Sequence, residues 1–222
     1  QGFDRPDNCY GDETYRQYFI DLAAAWKQDY PNLQHYYLFQ IWPNACGQGS
    51  TRHGDLLREV QRRLPESFAH LSVLPTLAFP SGQGCHFNLA DYERMGRSLV
   101  PLLERDFFGR TFKQPVTAPD LRRARYTGAA RDAIVLEFDQ PMTWDDALAG
   151  TFYLDDQERQ VVAGVANGNA ILLKLAAPSA AKTITYNVGK KWDGKYVLYG
   201  RNGIAALTFC DVPIADGKDR AR

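Results

Sequence analysis

Between residues 12 and 30 the apolar positions Tyr15, Tyr18, Phe19, Leu22 and Trp26 recur at three- and four-residue steps, which predicts an amphipathic helix. Pro31-Asn32 ends it. The next run, QHYYLFQIW over 34–42, is aromatic and β-branched and predicts a largely buried strand. A second helix fits 51–64, with Leu56, Leu57, Val60 and Leu64 on one face, Arg58, Arg62 and Arg63 largely outside it, and Pro65 closing it. A strand over 71–79, a Gly-punctuated turn SGQGCH and a helix over 89–107, bent at Pro101, complete this half.

Strands alternating with helices predict an α/β fold with a doubly wound parallel sheet, whose functional groups gather in loops at the carboxyl ends of the strands. Here those loops are 43–50 and 80–88. Two strands and three helices do not make a covered parallel sheet, so further strands are expected from an upstream segment, with an exposed apolar flank in their absence. After the connector KQPVTAPD the period changes to two. AIVLEF (133–138), FYLD (152–155), RQVVAGV (159–165), AILLKL (170–175) and TITYNV (183–188) read as short strands, with a hairpin signal at Asn167-Gly168. The spacing predicts an antiparallel β-sandwich. The expected domains are therefore 1–112 (α/β) and 113–215 (β), with a tail over 216–222. LRRARY at 121–126 reads as the solvated face of the first strand of the β domain, not as a basic binding patch.

Composition narrows the partners. The 222 residues are 45% hydrophobic and 23% charged, and Lys plus Arg equals Asp plus Glu at 26 each. That balance gives no bulk electrostatic reason to bind nucleic acid or an anionic membrane, and no apolar run approaches a bilayer span. The cysteines at 9, 46, 85 and 210 form neither a Cys-x-x-Cys pair nor a Cys/His series, so no structural metal is expected. The chain opens on Gln1 with no charged-then-apolar leader, which reads as a processed or truncated start.

His86 is the first candidate for chemistry, because it follows a predicted parallel strand in a Gly-rich turn ahead of a helix, where a general base belongs. The competing reading is a histidine bonded to its own loop. His35, His53 and His70 read as structural or solvated. Ser50 with His86 and Asp55 forms a triad in sequence order, but a long loop separates Ser50 from its strand where a nucleophile elbow needs a sharp turn. Ser81 reads as turn chemistry. Cys46 and Cys85 fall in two loops at the same sheet edge, consistent with a disulfide bracing the His86 loop, with two buried thiols, or with a nucleophilic Cys85. Trp42, at the carboxyl end of its strand, suits either an aromatic wall for a sugar ring or the core.

GCHFNLADYERMGRSLVPLLERDFFG resembles the terminal block of SGNH-type (GDSL-like) esterases, in particular the sialate O-acetylesterase-like carbohydrate esterases. The opening QGFD is similar to another of their segments. YRQYFIDLAAAWKQDYPN, YLFQIWP, LREVQRRLP and the closing LYGRNGIAALTF (198–209) follow in the family's order. The resemblance implies the carboxyl-terminal part of an SGNH hydrolase domain followed by a β-sandwich, acting on acetylated carbohydrates by a Ser-His mechanism with no metal or organic cofactor. It implies His86 as proton shuttle, Gln1 and Gly2 at the oxyanion hole, and an extracellular or periplasmic site of action. Three departures stand out. The block bearing the nucleophilic Ser has no counterpart here, Gln83 replaces the Asp three residues before the catalytic His, and Phe3 stands for a usual Glu. An inactive carbohydrate-binding or structural module is the alternative reading.

Overall fold

In the computed structural model, which describes residues 13–43, 51–79 and 86–217, helix α1 (Glu13–Asp29) leads into strand β1 (Tyr36–Phe39), α2 (Arg52–Arg63), β2 (Leu71–Leu74) and α3 (Leu89–Phe108). β1 and β2 run parallel, in register from Tyr36 opposite Leu71 to Phe39 opposite Leu74. Both are shorter than their apolar runs. Gln40 N still donates to Leu74 O at 2.8 Å, but Pro75 has no N–H with which to continue the ladder.

α1 partly buries Tyr15 and Phe19 beside Leu64, Leu71 and Val73, with the Phe19 ring edge-on to Tyr36 at 6.1 Å and to Phe68 at 5.2 Å. Among the described residues β1 and β2 pair only with each other, and Tyr18, Leu22 and Trp26 of α1 and Leu89, Val100 and Phe108 of α3 are exposed beside this small sheet. Asn88 caps α3 by accepting from Asp91 N at 2.9 Å. Its far end closes at Gly109, whose left-handed φ of 63° lets its N–H reach Glu104 O.

The second half comprises β3 (Leu121–Tyr126), β4 (Ala133–Phe138), β5 (Phe152–Leu154), β6 (Val161–Asn167), β7 (Ala170–Leu175), β8 (Thr183–Tyr186) and β9 (Phe209–Ala215). In place of the expected antiparallel sandwich there is one mixed seven-stranded sheet, ordered β5-β8-β9-β3-β4-β7-β6, in which β9 returns parallel to β3. The Asn167-Gly168 hairpin joins β6 to β7, with Gly168 at φ 57°. β3 turns Leu121, Ala124 and Tyr126 inward and leaves Arg122 exposed.

The closing strand is displaced from the sequence expectation. Residues 198–208 form a turn in which Ala206 N donates to Leu198 O and Gly200 N to Ile204 O, and the strand proper starts at Phe209. Arg201-Asn202-Gly203 is turn chemistry inside an otherwise apolar run, and Gly203 adopts φ 78°.

The sheet curls around a core of Ile134, Leu136, Ile171, Leu173, Phe152, Tyr186 and Phe209. Its two edges come together through Trp144. Asp146 Oδ1 accepts from the Trp144 indole at 2.7 Å and from Gly164 N of β6 at 3.0 Å, so the indole lies flat on the backbone of the far edge. A Cβ on Gly164 would sit 2.5 Å from this ring. Gly164→Ala is therefore expected to destabilise the fold by about 1–3 kcal/mol, read as a lower urea midpoint. An unchanged midpoint would show that the edge contact is slack.

Candidate active site

His86 lies between β2 and α3, two residues ahead of the Asn88 cap, with its side chain exposed. Its neighbour Phe87 fixes the loop. The Phe87 ring meets Trp42 at 6.5 Å, Phe79 at 6.5 Å and Tyr92 at 5.9 Å, all edge-on. These rings come from the chain after β1, the chain after β2 and the first turn of α3, so three elements hold the residue beside His86. The imidazole itself makes no hydrogen bond to a described residue.

Trp42 is half-buried against the core, and its indole N–H is buried without a partner among the described residues. Gln1, Gly2, Cys46, Ser50, Ser81, Gln83 and Cys85, together with Phe3 and Cys9, lie outside the described residues. His35 lies against Asp106 at 3.6 Å and edge-on to His70 at 5.0 Å, at the opposite ends of β1 and β2 from His86.

Behind the carboxyl ends of β1 and β2 lies a polar seam that the sequence reading missed. The side-chain amide of Gln40 donates to Thr208 O at 2.9 Å and to Arg58 O at 3.0 Å, while its Oε1 accepts from Thr208 N at 2.9 Å. It thereby substitutes for a strand partner at the start of β9. Gln61 Oε1 accepts from Ile41 N at 2.9 Å, and Thr76 Oγ1 donates to Gln40 O at 2.8 Å. The backbone leading to Trp42 is thus held from both sides.

Arg58 and Arg62 are not outside the packed face of α2 but buried, at 1% and 7% exposure. The β part covers that side of the helix, and guanidinium groups enter it because partners await them. Arg58 pairs with Asp55 and donates to Thr208 Oγ1 at 3.2 Å and Asn187 O at 3.1 Å, and Gly189 N donates to Asp55 Oδ1 at 2.8 Å. Burial pushes the Asp55 carboxyl above the usual carboxylate range, and Arg58 opposes that shift. Burial likewise lowers the Arg58 guanidinium from its ordinary value against the pull of Asp55. Asp55 is committed to this seam. Arg62 bridges Glu59 at 2.5 Å and Asp120 at 2.7 Å, and Glu59 accepts from Cys210 N at 3.1 Å.

Cys210 is a buried free thiol beside Arg52, and burial pushes it up to about 12. A protonated, inaccessible sulfur does not alkylate. Iodoacetamide at pH 8 is expected to leave the Cys210 peptide unmodified in the native protein and to label it fully in denaturant, as read by mass spectrometry. Rapid native labelling would contradict the packing around β9.

No family model and no curated protein matches the sequence. Among solved structures, the fold is similar to that of a carbohydrate acetylesterase from Xanthomonas citri, with a TM-score of 0.68 and 16% identity over 90% of this chain. The chain spans 47% of the length of that protein. At this identity the likeness establishes a shared fold.

Proposed function

We propose that this chain contributes the histidine side of an O-acetylesterase acting on acetylated carbohydrates, of the SGNH type and resembling the sialate O-acetylesterases. The observation that carries the reading is the exposed His86, unbonded to any described residue, in the loop after a parallel strand, within a fold shared with a carbohydrate acetylesterase. In this mechanism a serine Oγ attacks the acetyl carbonyl, His86 accepts its proton, and Gln1 and Gly2 donate to the oxyanion. His86 then returns the proton to the departing sugar oxygen, and water, deprotonated in the same way, releases acetate from the acyl-enzyme. The serine belongs to a family block without a counterpart in these 222 residues. Trp42 supplies a wall for the sugar ring, and Gln83 orients the imidazole in place of the usual carboxylate.

The test is acetate release from 4-nitrophenyl acetate and from an O-acetylated sugar by the natural protein that carries this chain, beside its His86→Ala variant. Turnover of both substrates that depends on His86 supports the reading. A folded protein that binds the acetylated sugar and releases no acetate would overturn it in favour of a non-catalytic carbohydrate-binding module.

A further inference from the structure

Beside the carboxyl end of β2, between α3 and the connector to β3, lies a cavity of 570 Å³, within the range of small-molecule sites. Its walls include Leu74, Phe79, Leu102, Phe112, Val116 and Ile204. Of its three uncharged polar lining residues Gln114 is exposed at the margin, and the other two are already spent on the protein. Ser98 Oγ donates to Met95 O at 2.6 Å, while Asn202 Nδ2 donates to Pro115 O and Thr117 O at 3.0 Å each and to Gln140 Oε1 at 2.7 Å, and its Oδ1 accepts from Ile204 N at 3.1 Å. A polar ligand such as a sugar would find few hydrogen bonds here and would strand its hydroxyls. The one charged lining residue is Lys113, exposed at the margin, with no acidic partner among the described residues.

An apolar chamber with a single unpaired cation at its margin is complementary to a molecule with an apolar body and one anionic head. We infer that this cavity is a binding site for a medium-chain fatty carboxylate, its hydrocarbon tail against Leu102, Phe112 and Ile204 and its carboxylate at Lys113. The site is distinct from the His86 loop, although Phe79 belongs to both the cavity wall and the ring cluster around Phe87. Binding is read without turnover, so the inference stands or falls independently of the esterase reading.

The experiment is calorimetric titration of the natural protein with decanoate, with decanol as the uncharged control. Decanoate is expected to bind saturably with a Kd of roughly tens of micromolar, in keeping with the affinity ceiling for so small a ligand. Ser98→Phe, which places a ring in the half-buried lining of the cavity, abolishes binding of both ligands. Lys113→Glu, at an exposed position that leaves the fold intact, weakens decanoate by about fivefold, the scale of an exposed ion pair, and leaves decanol unchanged. Absence of saturable decanoate binding up to about 1 mM in the unsubstituted protein would overturn the inference, since a ligand of this size that fills an apolar site binds well below that. So would undiminished binding in a folded Ser98→Phe variant, or decanoate binding indifferent to the charge at position 113.

Discussion

On the proposed mechanism, His86→Ala in the natural protein that carries this chain is expected to lower kcat for acetyl ester hydrolysis by about 10³-fold, within the 10²–10⁴ range for removal of a positioned general base. The loss is confined to turnover. The imidazole is exposed and unbonded to described residues, so its removal changes unfolding stability by no more than about 0.5 kcal/mol. The loop keeps its place because the Phe87 ring, not the His86 ring, is the part packed by Trp42, Phe79 and Tyr92. Added imidazole restores part of the rate in the variant, a result that a merely structural histidine does not give. A variant retaining at least half the parent rate would remove His86 from the mechanism.

Arg58→Met costs about 3–5 kcal/mol of stability, the range for breaking a buried ion pair from one side. The substitution leaves the Asp55 carboxylate, 3% exposed, with the Gly189 N–H and the through-space charge of Arg52 in place of its paired cation, and strips Thr208 Oγ1 and Asn187 O of a donor. Removing both charges in Asp55→Leu/Arg58→Met recovers part of the loss, since no lone buried charge remains. Urea unfolding of the parent, the two single variants and the double variant forms the cycle that checks this. A single-variant loss below about 1 kcal/mol would show that water reaches the pair and screens it.

Much of the fold was legible because its signals are local. The helical spacing of Tyr15 and Phe19 and the two-residue period of AIVLEF and AILLKL report burial one element at a time, and Asn167-Gly168 announces its own turn, whereas Tyr18, Leu22 and Trp26 of the same predicted helix face are exposed. The place of His86 was legible for the same reason, from the order of strand, Gly-rich turn and helix. The seam was not. A helical Arg reads as solvated by default, and nothing near Arg58 in sequence signals that Thr208, 150 residues away, will cover it. One clue was present, since Gln40 is a polar residue inside the aromatic run YYLFQIW, and a buried amide demands partners. The parallel pairing of β3 with β9 was equally hidden, because the order of strands in a sheet depends on contacts distant in sequence.

The bond between Gln40 and Thr208 spans 168 positions and has a bearing on synthesis of the chain. Residues enter the folding environment in order, and a newly made segment ordinarily begins to fold as a unit. Here the carboxyl end of β1 waits without its Thr208 partner, and the Arg58 guanidinium of α2 without its cover, until the chain has been made through Thr208. During that interval the segment from α1 to α3 is the vulnerable one. A nascent chain arrested before Thr208 therefore leaves the Arg58 face of α2 without the Thr208 contact that covers it in the finished fold.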